Sequence, residues 1–199
     1  MSLSLPFLRA IIPRPSLFRR YQSTSSPPAT SSKDPSHPYL HYHTLPDARL
    51  ALSFLPTQPL ESSRTILGFL PNKGHGVGLH DLVEQKGFLA IVHAAVKSGL
   101  EAGVAETIEY EAATRPVDGY ITITDERAVP PAGRIGETED LIGSVFVEAG
   151  KIVASTYSPL PTYRPVTAQG VLLLPRGLDK HLVEMLSRID SEERSTSKV

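Results

Sequence analysis

The pattern of this chain predicts an α+β domain: a mostly antiparallel sheet of about five strands with two helices packed on one face. Three observations carry the prediction. Apolar stretches of strand character recur between residues 49 and 174, one long stretch repeats at 3.6 residues per turn, and Ala149-Gly150 separates two β-branched runs as a tight hairpin does. Hairpins with a single long helical crossover exclude a doubly wound parallel sheet.

Residues 49–54 alternate at the strand period, with Leu50, Leu52 and Phe54 on one face, and read as the first strand. Two prolines and two serines interrupt residues 56–63, after which residues 65–70 resume an extended apolar run that pairs antiparallel with the first. Asp81 and Glu84 stand at the spacing of a capping box, so a helix is expected to start there and to continue through Phe88 to about Ala113. Phe88, Leu89, Val92, Ala95, Val96, Gly99, Leu100 and Gly103 form its apolar face, with Lys86, His93, Lys97 and Glu101 opposite. Gly99 and Gly103 permit either a close backbone approach or a kink.

After Arg115-Pro116, residues 119–124 form a strand by their β-branched content, residues 126–140 a loop, and residues 144–148 and 151–155 the two arms of the hairpin. A Pro-rich irregular stretch, residues 158–165, leads to a short apolar piece, residues 170–174. Leu178, Leu182, Met185, Leu186 and Ile189 then make one face of a terminal helix.

The folded unit is expected at residues 39–190, a single domain flanked by three other segments. Residues 1–21 carry Arg9, Arg14, Arg19 and Arg20 among apolar and hydroxyl residues, and no acid precedes Asp34; this is the composition of a mitochondrial targeting segment, which import machinery would read. Arg and Pro residues interrupt every apolar run, so no secretory core of about 7–15 residues exists there. Cleavage near Tyr21 follows from Arg19-Arg20-Tyr21-Gln22-Ser23. Residues 22–38, rich in Ser, Thr and Pro, read as a disordered linker, and residues 191–199 as a disordered tail. The chain ends Ser197-Lys198-Val199, one aliphatic substitution from the peroxisomal Ser-Lys-Leu tripeptide, so peroxisomal or dual targeting stands as the minor alternative. Val in place of Leu buries one methylene fewer, a loss of roughly 0.8 kcal/mol in a pocket fitted to Leu.

Composition removes several function classes. Taking the four arginines of residues 1–21 from the 20 basic groups leaves 16 against 21 acids, a formal charge of −5 that argues against general nucleic-acid binding. The chain has no cysteine, which excludes disulfides, thiolate metal sites and Cys nucleophiles. No apolar run approaches the ~20 residues of a membrane span. A soluble matrix protein with an unknown protein partner is the expectation, with no cofactor and no metal assigned.

The most polar loop, residues 124–140, holds Arg127 and Arg134 with Asp125, Glu126, Glu137, Glu139 and Asp140. Guanidinium forks suit carboxylate or phosphate ligands, and a neighbouring carboxylate can serve as base or orienter. Asp125, Arg127 and Arg134, joined by Tyr163 and Arg164 from the Pro-rich stretch, are therefore the candidate ligand-binding residues. The opposing and favoured reading pairs these charges with one another, Asp125 with Arg127 or Arg134 with Asp140, to staple the loop. Tyr163 more commonly packs over a sheet edge than clamps a ligand. No catalytic residue is assigned.

Other signals are weaker. The glycine-rich run of residues 72–78 lacks the Gly-Lys-Ser/Thr ending of a nucleotide loop and reads as a flexible surface loop. His37, His41, His43, His75 and His80 show no zinc-binding spacing and read as linker or surface histidines. His93 reads as a solvated residue of the helix's polar face. No Gly-x-Ser-x-Gly elbow is present.

Residues 38–186 resemble a family of small uncharacterised fungal proteins. The resembling pieces are residues 49–56, Asp125-Glu126-Arg127 with Pro130 and residues 133–136, Glu139-Asp140 before residues 142–145, and Tyr163-Arg164. The resemblance implies that residues 39–190 are one unit; it implies no activity, cofactor or catalytic residue.

Overall fold

A computed structural model of the chain describes residues 31–47, 49–71, 77–128 and 136–197. The fold is α+β with antiparallel pairing throughout. Five strands, β1 (Ser31–Lys33), β2 (His41–Thr44), β3 (Arg49–Ser53), β4 (Ile66–Pro71) and β5 (Val83–Glu84), make one sheet whose spatial order is the chain order. A second sheet is the meander of β6 (Gly119–Thr124), β7 (Leu141–Glu148) and β8 (Lys151–Pro159). The short strands β9 (Val166–Thr167) and β10 (Gly170–Val171) form a separate ribbon. The single sheet expected from the sequence is thus divided, because the helical segment between β5 and β6 carries the chain from one sheet to the other.

That segment is two helices, not one starting at Asp81. α1 (Phe88–Glu101) and α2 (Glu106–Thr114) meet at a 52° bend. Gly103 takes φ +66° at the break, a left-handed conformation that ends a helix and that glycine adopts without a Cβ penalty. Asp81 closes a 3-10 turn by accepting from the Gly78 amide at 3.1 Å, and Glu84 lies in β5 opposite Gly68, so the expected capping box initiates no α-helix. α3 (Leu178–Thr196) packs on α1, whose other side meets β8, while α2 rests on β6 and β8. Gly99 delivers the close approach: a Cβ there would stand 2.4 Å from Leu178 Cδ2.

One core gathers residues of both sheets and all three helices, including Leu52, Phe54, Leu67, Phe88, Val96, Ile108, Ile121, Val145 and Leu182. The β7–β8 turn falls at Ala149-Gly150 as the sequence predicts, with φ of +49° and +75° and with Glu148 paired to Lys151. No single helix among the described residues is long and apolar enough to cross a membrane.

Three boundaries change. Residues 31–38 are not linker: β1 pairs with β2, and the segment that follows is tied to the body by the Asp34 amide donating to the Leu40 carbonyl at 2.9 Å. Residues 191–196 are not tail: they continue α3, where the Glu193 carboxylate accepts from Ser63 Oγ at 2.5 Å and from the Arg64 amide and Nε at 3.2 Å each. Arg49–Ser53 is the third strand, not the first, and both its faces are covered, since Ala51, Leu52 and Ser53 are all buried. Residues 1–30, with the targeting segment and most of the linker, lie outside the described residues, as do Lys198 and Val199.

Candidate functional site

β6 delivers Asp125 to a point where two other segments converge. The Asp125 amide donates to the Asp140 carbonyl at 2.9 Å, at the 3-10 turn Thr138–Asp140 that precedes β7, and the Glu126 amide donates to the Leu173 carbonyl at 2.8 Å. Asp125, Asp140 and Tyr163 are fully or almost fully buried, and the Arg127 side chain is 3% exposed. Asp125 Oδ1 accepts from the amides of Arg127 and Leu173, both at 2.9 Å, and Oδ2 accepts from the Tyr163 hydroxyl at 2.8 Å. Burial pushes the Asp125 carboxyl up, while the Arg127 charge and these donors pull it down. Burial, followed by the adjoining Asp125 carboxylate, raises the Tyr163 phenol well above its usual range and keeps it a hydrogen-bond donor.

Arg127 closes the network. Its Nε and Nη2 chelate Asp140 Oδ1 at 2.9 and 2.8 Å, and Nη2 also donates to the Arg164 carbonyl at 2.6 Å. The Asp125 carboxylate stands 3.7 Å from Nε. Two buried carboxylates thus share one guanidinium. Of the five candidates from the sequence, Asp125, Arg127 and Tyr163 come together. Arg164 joins through its backbone alone while its side chain is exposed, and Arg134 lies outside the described residues. The favoured pairing holds for Asp125 with Arg127, but the stronger partner of Arg127 is Asp140, for which Arg134 was the expected mate.

Beside this network opens a cleft of about 320 Å³. One wall is the strap of residues 31–42, contributing Asp34, Ser36, His37, Leu40 and Tyr42; the other is Glu126-Arg127 with Gln169, Gly170, Val171 and Leu173 of the ribbon. Asp34 Oδ1 accepts from the amide and hydroxyl of Ser36 at 2.7 and 2.6 Å, and Oδ2 from the Tyr42 hydroxyl at 2.8 Å. The hydrogen bonds from Ser36 and Tyr42 hold the Asp34 carboxyl below its usual range. Tyr42 is pushed up to about 12, by burial first and then by Asp34.

His37 fastens the strap to the body. Its Nδ1 accepts from the amides of Tyr39 and Leu40 at 3.2 and 3.0 Å, so the proton sits on Nε2, which donates to the Leu172 carbonyl at 3.0 Å. Its ring stacks on Phe54 at 5.3 Å, and burial lowers its pKa. The sequence reading missed this wall because Ser, Thr and Pro content suggested disorder; the signal present was Asp34-Pro35-Ser36, the pattern of an Asx turn.

Two further histidines differ from expectation, whereas His80 is exposed as expected and His75 lies outside the described residues. His43 is buried, not on the surface, with one ring nitrogen bonded to the Leu55 carbonyl at 3.0 Å and Nδ1 without a partner. His93 is half-buried, with Nδ1 hydrogen-bonded to the Tyr157 hydroxyl at 2.9 Å and its ring edge-on to Tyr163. No group of metal-binding side chains occurs among the described residues.

No family model matches the chain, and neither the curated proteins nor the solved structures contain a match to it.

Proposed function

We propose that this chain is a soluble mitochondrial matrix protein with a binding, accessory or assembly role, and that the cleft between strap and ribbon is its binding site. One observation carries the reading: Asp125, Arg127, Asp140 and Tyr163 are engaged with one another in a buried network, while a concave space of about 320 Å³ lies open beside them. That volume is of the size that holds small ligands. The acid-free, arginine-bearing residues 1–21 support the matrix address.

A thermal-shift screen of mitochondrial metabolites tests the cleft. Stabilisation of the wild type that disappears in Gln169→Trp, which fills the cleft from an exposed rim position, is the expected result; stabilisation indifferent to that substitution counts against the cleft. The rival reading, an enzyme or binding protein for an anionic ligand at Asp125, Arg127 and Arg134, is weakened by the engagement of Arg127. Anion stabilisation that vanishes in Arg134→Ala would restore it. For the address, removal of residues 1–21 is expected to abolish mitochondrial import of a carboxy-terminally tagged chain. A peroxisomal signal from an amino-terminally tagged chain would instead favour Ser197-Lys198-Val199.

A further inference from the structure

We infer that the cleft selects a small cationic ligand, one presenting an ammonium or guanidinium group on a short alkyl stem; this rests on the binding reading above. Among the described residues, the charged side chains lining the cleft are Asp34, Glu126 and Arg127. Arg127 does not act there as a free cation. Its Nε and Nη2 hold Asp140, and Nη2 also donates to the carbonyls of Glu139 and Arg164. Only Nη1 is loosely held, 3.5 Å from the Gly170 carbonyl. Behind it, Asp125 and Asp140 outnumber it by one charge.

Of the strap's other groups, Lys33 is exposed and lines an adjoining hollow rather than this cleft, though its charge reaches His37. His37 is locked neutral, because a proton on Nδ1 would face two backbone N–H donors. Asp34 is held as the carboxylate by three donated hydrogen bonds, two to Oδ1 and one to Oδ2, which leaves Oδ2 able to accept another. The Glu126 carboxyl is raised by burial first, against a hydrogen bond from the Arg176 amide, with smaller contributions from the like charges of Asp179 and Asp125. Among the described residues, an entering anion would find one loosely held N–H, that of Arg127. A cation would meet two carboxylates. Leu40, Val171 and Leu173 offer apolar surface for a stem, and Tyr42 lines the same space.

Titration of the ¹⁵N-labelled full chain with 1,4-diaminobutane, succinate and 1,4-butanediol, followed by amide chemical shifts, tests the inference. Expected are saturable shifts at Asp34, Tyr42, Glu126 and Gln169 with the diamine alone. Glu126→Gln should weaken them roughly three- to fivefold, as should raising the salt concentration. The Glu126 side chain shares no hydrogen bond with Asp125, Arg127 or Asp140, so a melting temperature close to wild type in that variant separates lost charge from lost fold. Succinate saturating the same amides below the diamine concentration would overturn the cationic class while keeping the cleft as a site. Absence of any saturable shift with the diamine would overturn the class as well, and the cleft itself would then stand or fall by the metabolite screen on Gln169→Trp.

Discussion

Arg127 serves two carboxylates, so the cost of replacing it is set by what it strands. Arg127→Met leaves Asp125 and Asp140 buried without a counter-charge, and a loss of about 3–5 kcal/mol in urea unfolding is expected. Tyr163→Phe removes one of three donors to Asp125 and should cost about 1–3 kcal/mol. Because both side chains act on the same carboxylate, the double variant is expected to lose less than the two single losses added together. A double-mutant cycle that came out additive would mean that Tyr163 and Arg127 act independently, against the shared network described above. The same bonds account for the charges of Asp125, Arg127 and Asp140. They join the paired end of β6 and start of β7 to residues 163–173, which share no sheet with them.

At the scale of elements, the start of α3 depends on one backbone position. Gly177 has φ +92°, and a Cβ there would stand 1.7 Å from the Val104 carbonyl oxygen at the α1–α2 corner. Gly177→Ala is therefore expected to destabilise by at least ~2 kcal/mol, combining left-handed strain with a clash against backbone that cannot rotate away. Thermal unfolding would check it, and a melting temperature within a degree of wild type would refute it. The far end of α3 carries its own prediction: deletion of residues 191–199 removes Glu193 and Arg194, which bind Ser63, Arg64 and the Gln58 carbonyl, and should lower the unfolding midpoint measurably, which loss of an unstructured tail would not. The elements that could be read from sequence are those whose own residues dictate them. Residues 119–124 are β-branched and alternate, and Ala149-Gly150 accepts positive φ, so β6, β7, β8 and their turn stood out. β1 did not, because Ser31-Ser32-Lys33 has no strand propensity and is held by pairing with β2 and by the His37 clasp. The α1–α2 break was half visible: Gly103 announced a kink, but apolar residues at helical spacing ran past it. The candidate site divided in the same way. Asp125 and Arg127 were legible as a charged pair, whereas the cleft wall contributed by Asp34 and His37 depends on contacts about 135 residues apart in the chain.

For the molecule as a whole, three histidines set the response to acid. His37, His43 and His93 all have pKa values lowered by burial from the ordinary ~6.5. Unfolding frees each to take up a proton, so their contribution to stability is full above about pH 6.5 and is lost as the pH falls through their folded values. Asp125 runs the other way: its raised pKa gives stability that is present below the unfolded carboxylate value and lost as the pH rises through the folded one. Urea midpoints are therefore expected to fall on acidification below about pH 6.5, with a shallower decline in His43→Gln, where the unpartnered ring nitrogen is gone. A midpoint independent of pH between 7 and 5 would sink this account. The order of the five-stranded sheet has a mechanical side as well. Because β1, β2, β3, β4 and β5 lie side by side in the order in which the chain makes them, each strand becomes the sheet's edge once its predecessor has left. A pull on the amino end would first load the pair Ser31 and His43, then Ser32 with Tyr42, then Lys33 with His41, and next strain the His37 clasp before β2 begins to peel from β3. Hydrogen bonds loaded one pair at a time yield at lower force than a ladder sheared along its length, so a motor hauling this chain amino end first would open its larger sheet like a zipper.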